Sequence, residues 1–76
     1  MVYQTMNTYL VYGKKKTDKR FMPFDMRDNK FVVNLFYASM FFDDDLEKLT
    51  KEINFMNKMN PEYIFEIRKQ GKKRVV

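Results

Sequence analysis

Three consecutive aspartates, Asp43-Asp44-Asp45, and a single serine, Ser39, are the residues whose types come closest to ligating or reactive groups. Hard cations such as magnesium need converging oxygens. Consecutive residues at the start of a helix point in different directions, and the alternating Asp-x-Asp-x-Asp-Gly spacing of an EF-hand loop is absent. The aspartates therefore read as capping charge at a helix N-terminus rather than as a metal site. Ser39 has no histidine to act as its base, and the sequence positions no lysine in its place. The 76 residues contain no Cys and no His, which removes thiolate nucleophiles, zinc-thiolate centres, disulfides and the commonest general base. Gly13 and Gly71 are the only glycines, too few for a Gly-rich phosphate loop. The composition predicts a non-enzymatic protein without a cofactor.

Charge is the stronger signal. Fifteen Lys and Arg stand against ten Asp and Glu, and they are unevenly spread. Residues 1–20 carry net +4, residues 21–67 net −4 and residues 68–76 net +5. The cations fall into two groups: Lys14, Lys15, Lys16, Lys19 and Arg20, then Arg68, Lys69, Lys72, Lys73 and Arg74. Brought together they would attract phosphates with salt-dependent affinity. Left apart they would keep an aromatic-rich surface soluble.

These groups need elements to position them. Residues 8–12 are β-branched and aromatic and read as a strand, closed by Gly13 and the polar stretch that follows. Residues 20–26 form a second strand, at an edge or interrupted because Pro23 cannot donate to a ladder. Arg27-Asp28-Asn29-Lys30 is a polar turn. From 31 to 42 the chain is nearly all apolar, where periodicity does not separate strand from buried helix; residues 31–37 are assigned a strand and 38–42 a connection, extended or helical. Leu46, Leu49, Ile53 and Met56, with Met59 beyond, lie on one helical stripe. Asp44 and Glu47 have capping-box spacing, Glu47 and Lys51 are an i, i+4 pair, and Asn60-Pro61 ends the helix. Residues 62–69 alternate, with Tyr63, Phe65 and Ile67 on one face. Residues 70–76 are expected to fray as a basic tail.

The chain thus reads as one α+β domain over residues 1–76, with an ordered core at about 8–69. Three to four strands, mostly antiparallel, carry one amphipathic helix on one face in the order β-β-β-α-β. In a chain this short only one core fits. A meander followed by a helical crossover places the last strand parallel to the first. Both cationic groups would then meet at one end of the sheet, with Asp18 and the three aspartates offsetting part of the charge. One helix covers one face only, so some of Tyr3, Tyr9, Tyr12, Phe21, Phe36, Tyr37, Tyr63 and Phe65 lie on the open face or at an edge. There, Phe36, Tyr37 and Tyr63 are candidate contacts for stacked bases or for a homodimer. No apolar run is long enough to span a bilayer, and neither a basic opening nor a cleavage site is visible at the N-terminus, so a cytoplasmic protein is expected.

Lys, Phe, Met, Asn and Tyr are abundant and Ala almost absent, the bias of AT-rich codons. The pieces Phe31-Val32-Val33-Asn34-Leu35-Phe36-Tyr37-Ala38 and Asn60-Pro61-Glu62-Tyr63-Ile64-Phe65-Glu66-Ile67-Arg68, after a Tyr-x-Val-Tyr-Gly start, resemble short open reading frames of bacteriophages and mobile elements. That resemblance implies a stand-alone protein in a bacterial host cell, binding a host protein or protein–nucleic acid complex stoichiometrically. Inhibitors of CRISPR or restriction systems act in this way. Many of them are acidic mimics of nucleic acid, and this basic chain departs from that pattern. The alternative is direct nucleic-acid binding through the basic segments.

Overall fold

A computed structural model describes residues 5–74. The strands are β1 (Thr5–Lys15), β2 (Met22–Asp25), β3 (Lys30–Phe31), β4 (Met40–Phe42) and β5 (Tyr63–Arg74). One helix, α1, covers Leu46–Met59, and 3-10 turns occupy Leu35–Tyr37 and Asp43–Asp45. The fold is α+β as the pattern predicts, with one helix on a largely antiparallel sheet.

β1 is the axis of the sheet. Along one edge it pairs with β5 over its whole length, from Thr5 opposite Arg74 to Lys15 opposite Tyr63. The other edge is shared by β4, opposite Thr8 to Leu10, and β2, opposite Tyr12 and Gly13, with β3 outside β2. All of these pairings are antiparallel, so the expected parallel placement of the last strand is corrected. The crossover logic itself holds. The strand that enters the helix and the strand that leaves it run the same way, but the entering strand is β4, not residues 31–37. The chain reverses between β3 and β4, and that single reversal turns β5 around.

Gly13 does not close β1, which continues to Lys15. It is the place where the Phe65 ring lies across the backbone: a Cβ there would sit 2.5 Å from Phe65 Cδ1 and 2.7 Å from Cε1. β5 likewise runs to Arg74, so most of the expected basic tail is strand, with a register shift between Thr8 and Tyr9 that leaves Gln70 unpaired.

Alternation from Val11 sorts the side chains. Val11, Phe24 and Phe65 face α1 and meet Leu49 and Ile53 in the core, with Phe31, Phe41, Met56, Tyr63 and Ile67 packed round them. The edge-to-face contacts of Phe24 with Phe31 and Phe65, both at 5.1 Å, are the geometry aromatic pairs prefer. Burying a side chain such as Leu49 or Ile53 stabilises the fold by about 1.5–3 kcal/mol each. The helical stripe is as predicted up to Met56, whereas Met59 is exposed. Asn60 ends the helix, its backbone and side-chain nitrogens both donating to the Met56 carbonyl.

Two acidic knots hold the ends of the connections. Asp25 accepts from the backbone of Arg27 and Asp28 and from Ser39 Oγ at 3.1 Å, while Ser39 Oγ accepts from the Met26 amide. Ser39 is therefore the pin that turns the chain into β4. Asp43 does not cap the helix: no cap side-chain hydrogen bond forms at either turn, and its carboxylate instead accepts from the Asn7 amide and from Tyr9 Oη at 2.7 Å. The aspartates still place negative charge at the positive end of the helix dipole.

These bonds set a pH dependence. Burial alone would push the Asp25 carboxyl up, but the donors from Arg27, Ser39 and Asp28 bring it below the usual range. The Tyr9 hydrogen bond holds Asp43 low against its burial, and the same bond raises the Tyr9 phenol. A lowered carboxylate contributes stability that is present above its unfolded value of about 3.9 and lost as pH falls through the folded one. A raised phenol contributes stability present below about 10 and lost as pH rises through its folded value. Thermal stability should therefore fall off below about pH 4 and again above about pH 10, and Tyr9→Phe should flatten the alkaline arm and shrink the acid one. An unchanged alkaline arm in Tyr9→Phe would mean that the Tyr9–Asp43 bond is not made in solution.

Candidate nucleic-acid interface

The face of the sheet opposite α1 carries the residues of the other parity: Leu10, Tyr12 and Lys14 on β1, and Ile64, Glu66 and Arg68 on β5. Leu10 and Thr8 are buried there, and Tyr12 is half-buried. Phe21 folds onto the same face just before β2. The Arg68 guanidinium lies 4.4 Å from the Tyr12 ring centroid and 4.8 Å from that of Phe21, and Lys14 Nζ lies 5.2 Å from Phe21. Lys14 Nζ also donates to the Asp18 carbonyl at 2.8 Å, which ties the loop after β1 to the strand. Arg68 is bonded to Glu66. Where β1 ends, a cavity of about 160 Å³ lies toward the α1 side, lined by Lys15, Phe31 and Tyr63 together with Lys14, Asp18 and Arg20.

The ten cations singled out from the sequence thus do not form one patch. Arg68 comes together with Lys14 because Phe21 lies beside both, whereas Lys15, of opposite parity, turns to the α1 side. Lys16 and Lys19 are exposed in the loop just beyond. Lys69 lies opposite Tyr9 on the α1 side, where its charge acts on Asp43. Lys72, Lys73 and Arg74 pair with Asn7, Met6 and Thr5 at the opposite end of β1. Eight residues separate Asn7 from Lys15, about 26 Å at strand rise.

The aromatics divide differently from expectation. Tyr63 stacks on Phe31 and Phe65 against the core instead of standing free. Tyr37 is 67% exposed on its 3-10 turn. The side chains of Phe36, Lys73 and Arg74, and all of Tyr3, lie outside the described residues. The open-face pair proves to be Tyr12 and Phe21. Their parity with Lys14 and Arg68 on facing strands was the sequence signal, readable only once β5 is set antiparallel.

What this arrangement offers is a charged, aromatic surface. A guanidinium lying over two rings is held in place and still carries its charge, so it can meet a phosphate or a base without first being ordered. Among the described residues no group of three acidic side chains could hold a metal ion, and no helix is long and apolar enough to cross a membrane. Comparison with protein-family models, with characterised proteins and with solved structures gives no match, so the site is read from its own geometry alone.

Proposed function

We propose that the protein is a non-enzymatic module that binds single-stranded nucleic acid on the open face of its sheet. The observation that carries this reading is Arg68 lying over Tyr12 and Phe21, with Lys14 on the second ring. Cations interleaved with aromatics on the sheet face that no helix covers suit a strand whose bases can stack while its phosphates are neutralised. The test is binding of labelled single- and double-stranded DNA and RNA at about 50 and about 200 mM salt. Single strands should bind more tightly than duplexes, and affinity should fall steeply between the two salt concentrations. Absence of binding at the lower salt would overturn the reading.

A second reading, stoichiometric occupancy of a host protein complex as in phage-encoded inhibitors, draws on other residues. Val33 is 91% exposed and Leu35 and Tyr37 stand out on the same short connection between β3 and β4. Single exposed apolar side chains are common on protein surfaces, so this support is weaker. A nuclease-treated complex with a host protein, lost in Val33→Asp with Tyr37→Asp, would favour it.

A further inference from the structure

β5 has a second edge. Phe65 turns its N–H and C=O away from β1, and both are met by one side chain: Phe65 N donates to Asn57 Oδ1 at 2.7 Å and Asn57 Nδ2 donates to the Phe65 carbonyl at 3.0 Å. The Asn57 amide stands where the peptide group of another strand would stand. Backbone groups alternate along a strand, so Ile67 and Lys69 turn the same way as Phe65. Past the register shift at Gln70, Lys72 does so as well. Among the described residues β5 pairs with β1 alone, and α1 supplies only Asn57 to this edge. Over positions 67–74 the outward backbone groups of Ile67, Lys69, Lys72 and Arg74 are left along this edge.

An open strand edge of this kind is a template for another chain. Charge decides which chain. The edge carries Arg68, Lys69 and Lys72 with Lys73 and Arg74 following, against no acidic residue from 67 to 74. A second copy paired through β5 would set cations opposite cations, which is destabilising, whereas acidic side chains on the incoming strand would each find a cation. We infer that the outer edge of β5, over residues 67–74, takes an extended acidic segment of another protein as a further strand of the sheet. The two surfaces share Arg68, but the ladder groups at Ile67, Lys69 and Lys72 take no part in the open-face site, so their protection is read independently of nucleic-acid binding.

The experiment uses the full chain with three synthetic peptides: an alternating Glu/Val peptide, the same peptide with Pro at alternate positions, and a Lys/Val peptide. The Glu/Val peptide should bind, and its binding should slow amide exchange at Ile67, Lys69 and Lys72. Proline should weaken binding about tenfold or more by removing ladder donors, and the Lys/Val peptide should not bind. Lys69→Pro removes an outward N–H at a place where an edge strand tolerates proline, and it should reproduce that loss, whereas Lys69→Ala should cost no more than about threefold. Binding of the proline peptide as tight as its parent, or no slowing of the edge amides, would overturn the inference and leave only diffuse charge attraction. So would the same amides protected by dimerisation of the protein alone. The exchange measurement needs no variant, so a Lys69→Pro chain that fails to fold leaves the result decisive.

Discussion

Phe65→Ala is expected to be the most destabilising single truncation in the chain, costing about 3–5 kcal/mol. The ring is 7% exposed, makes edge contact with Phe24, stacks with Phe31 and Tyr63, and crosses the backbone at Gly13. A domain of this size has only about 4–11 kcal/mol of stability to lose, so the variant should be partly unfolded near physiological temperature. Gly13→Ala is expected to cost about 1–3 kcal/mol by overpacking, since its methyl would need space that the buried ring occupies. The pair then makes a sharper test than either alone. With the ring gone the methyl has room, and alanine restricts the unfolded chain more than glycine does, which stabilises by about 0.4–1 kcal/mol. Gly13→Ala should therefore destabilise the wild-type chain and stabilise Phe65→Ala, a reversal of sign readable from urea or thermal unfolding of the four proteins. Additive costs would mean that the ring does not lie over Gly13 in solution.

The same contact shows what sequence patterns convey and where they stop. The α1 stripe and the alternation of β5 are legible because each buries one face and so imposes its own period on the residues. Gly13 misleads because a glycine in a strand and a glycine in a turn are the same letter, and only the ring opposite tells them apart. Residues 31–42 are apolar on every side, so no period marks the point where the chain turns over. That point is fixed by Ser39 reaching back to Asp25, a bond between residues fourteen apart that no local pattern announces. Everything built on the direction of the last strand inherited the error, and the single ten-cation patch was its consequence. The segment charges were correct throughout; their placement depended on one reversal.

What survives of the cationic site is smaller and chemically more specific, and it predicts more than charge counting does. Arg68→Ala should weaken single-strand binding about tenfold or more, since stacking and cation–π contacts are worth about 1–3 kcal/mol per base. It should also lower the salt slope by about 0.7 if the guanidinium meets one phosphate. Arg68→Lys separates the two contributions. Lysine keeps the charge but has no plane to lie on Tyr12 and Phe21, so the salt slope should persist while most of the affinity is lost. Glu66 supplies the opposite sign. Its carboxylate is bonded to Arg68 on the same face and repels an incoming phosphate, so Glu66→Gln should tighten binding, chiefly at low salt where exposed charges are least screened. The three variants leave the core contacts untouched, so unfolding curves close to that of the parent would assign the differences to the surface. Arg68→Lys binding as well as the parent would reduce the site to simple charge. A Glu66→Gln variant that binds more weakly would mean that the Glu66–Arg68 pair positions the guanidinium rather than competing for it.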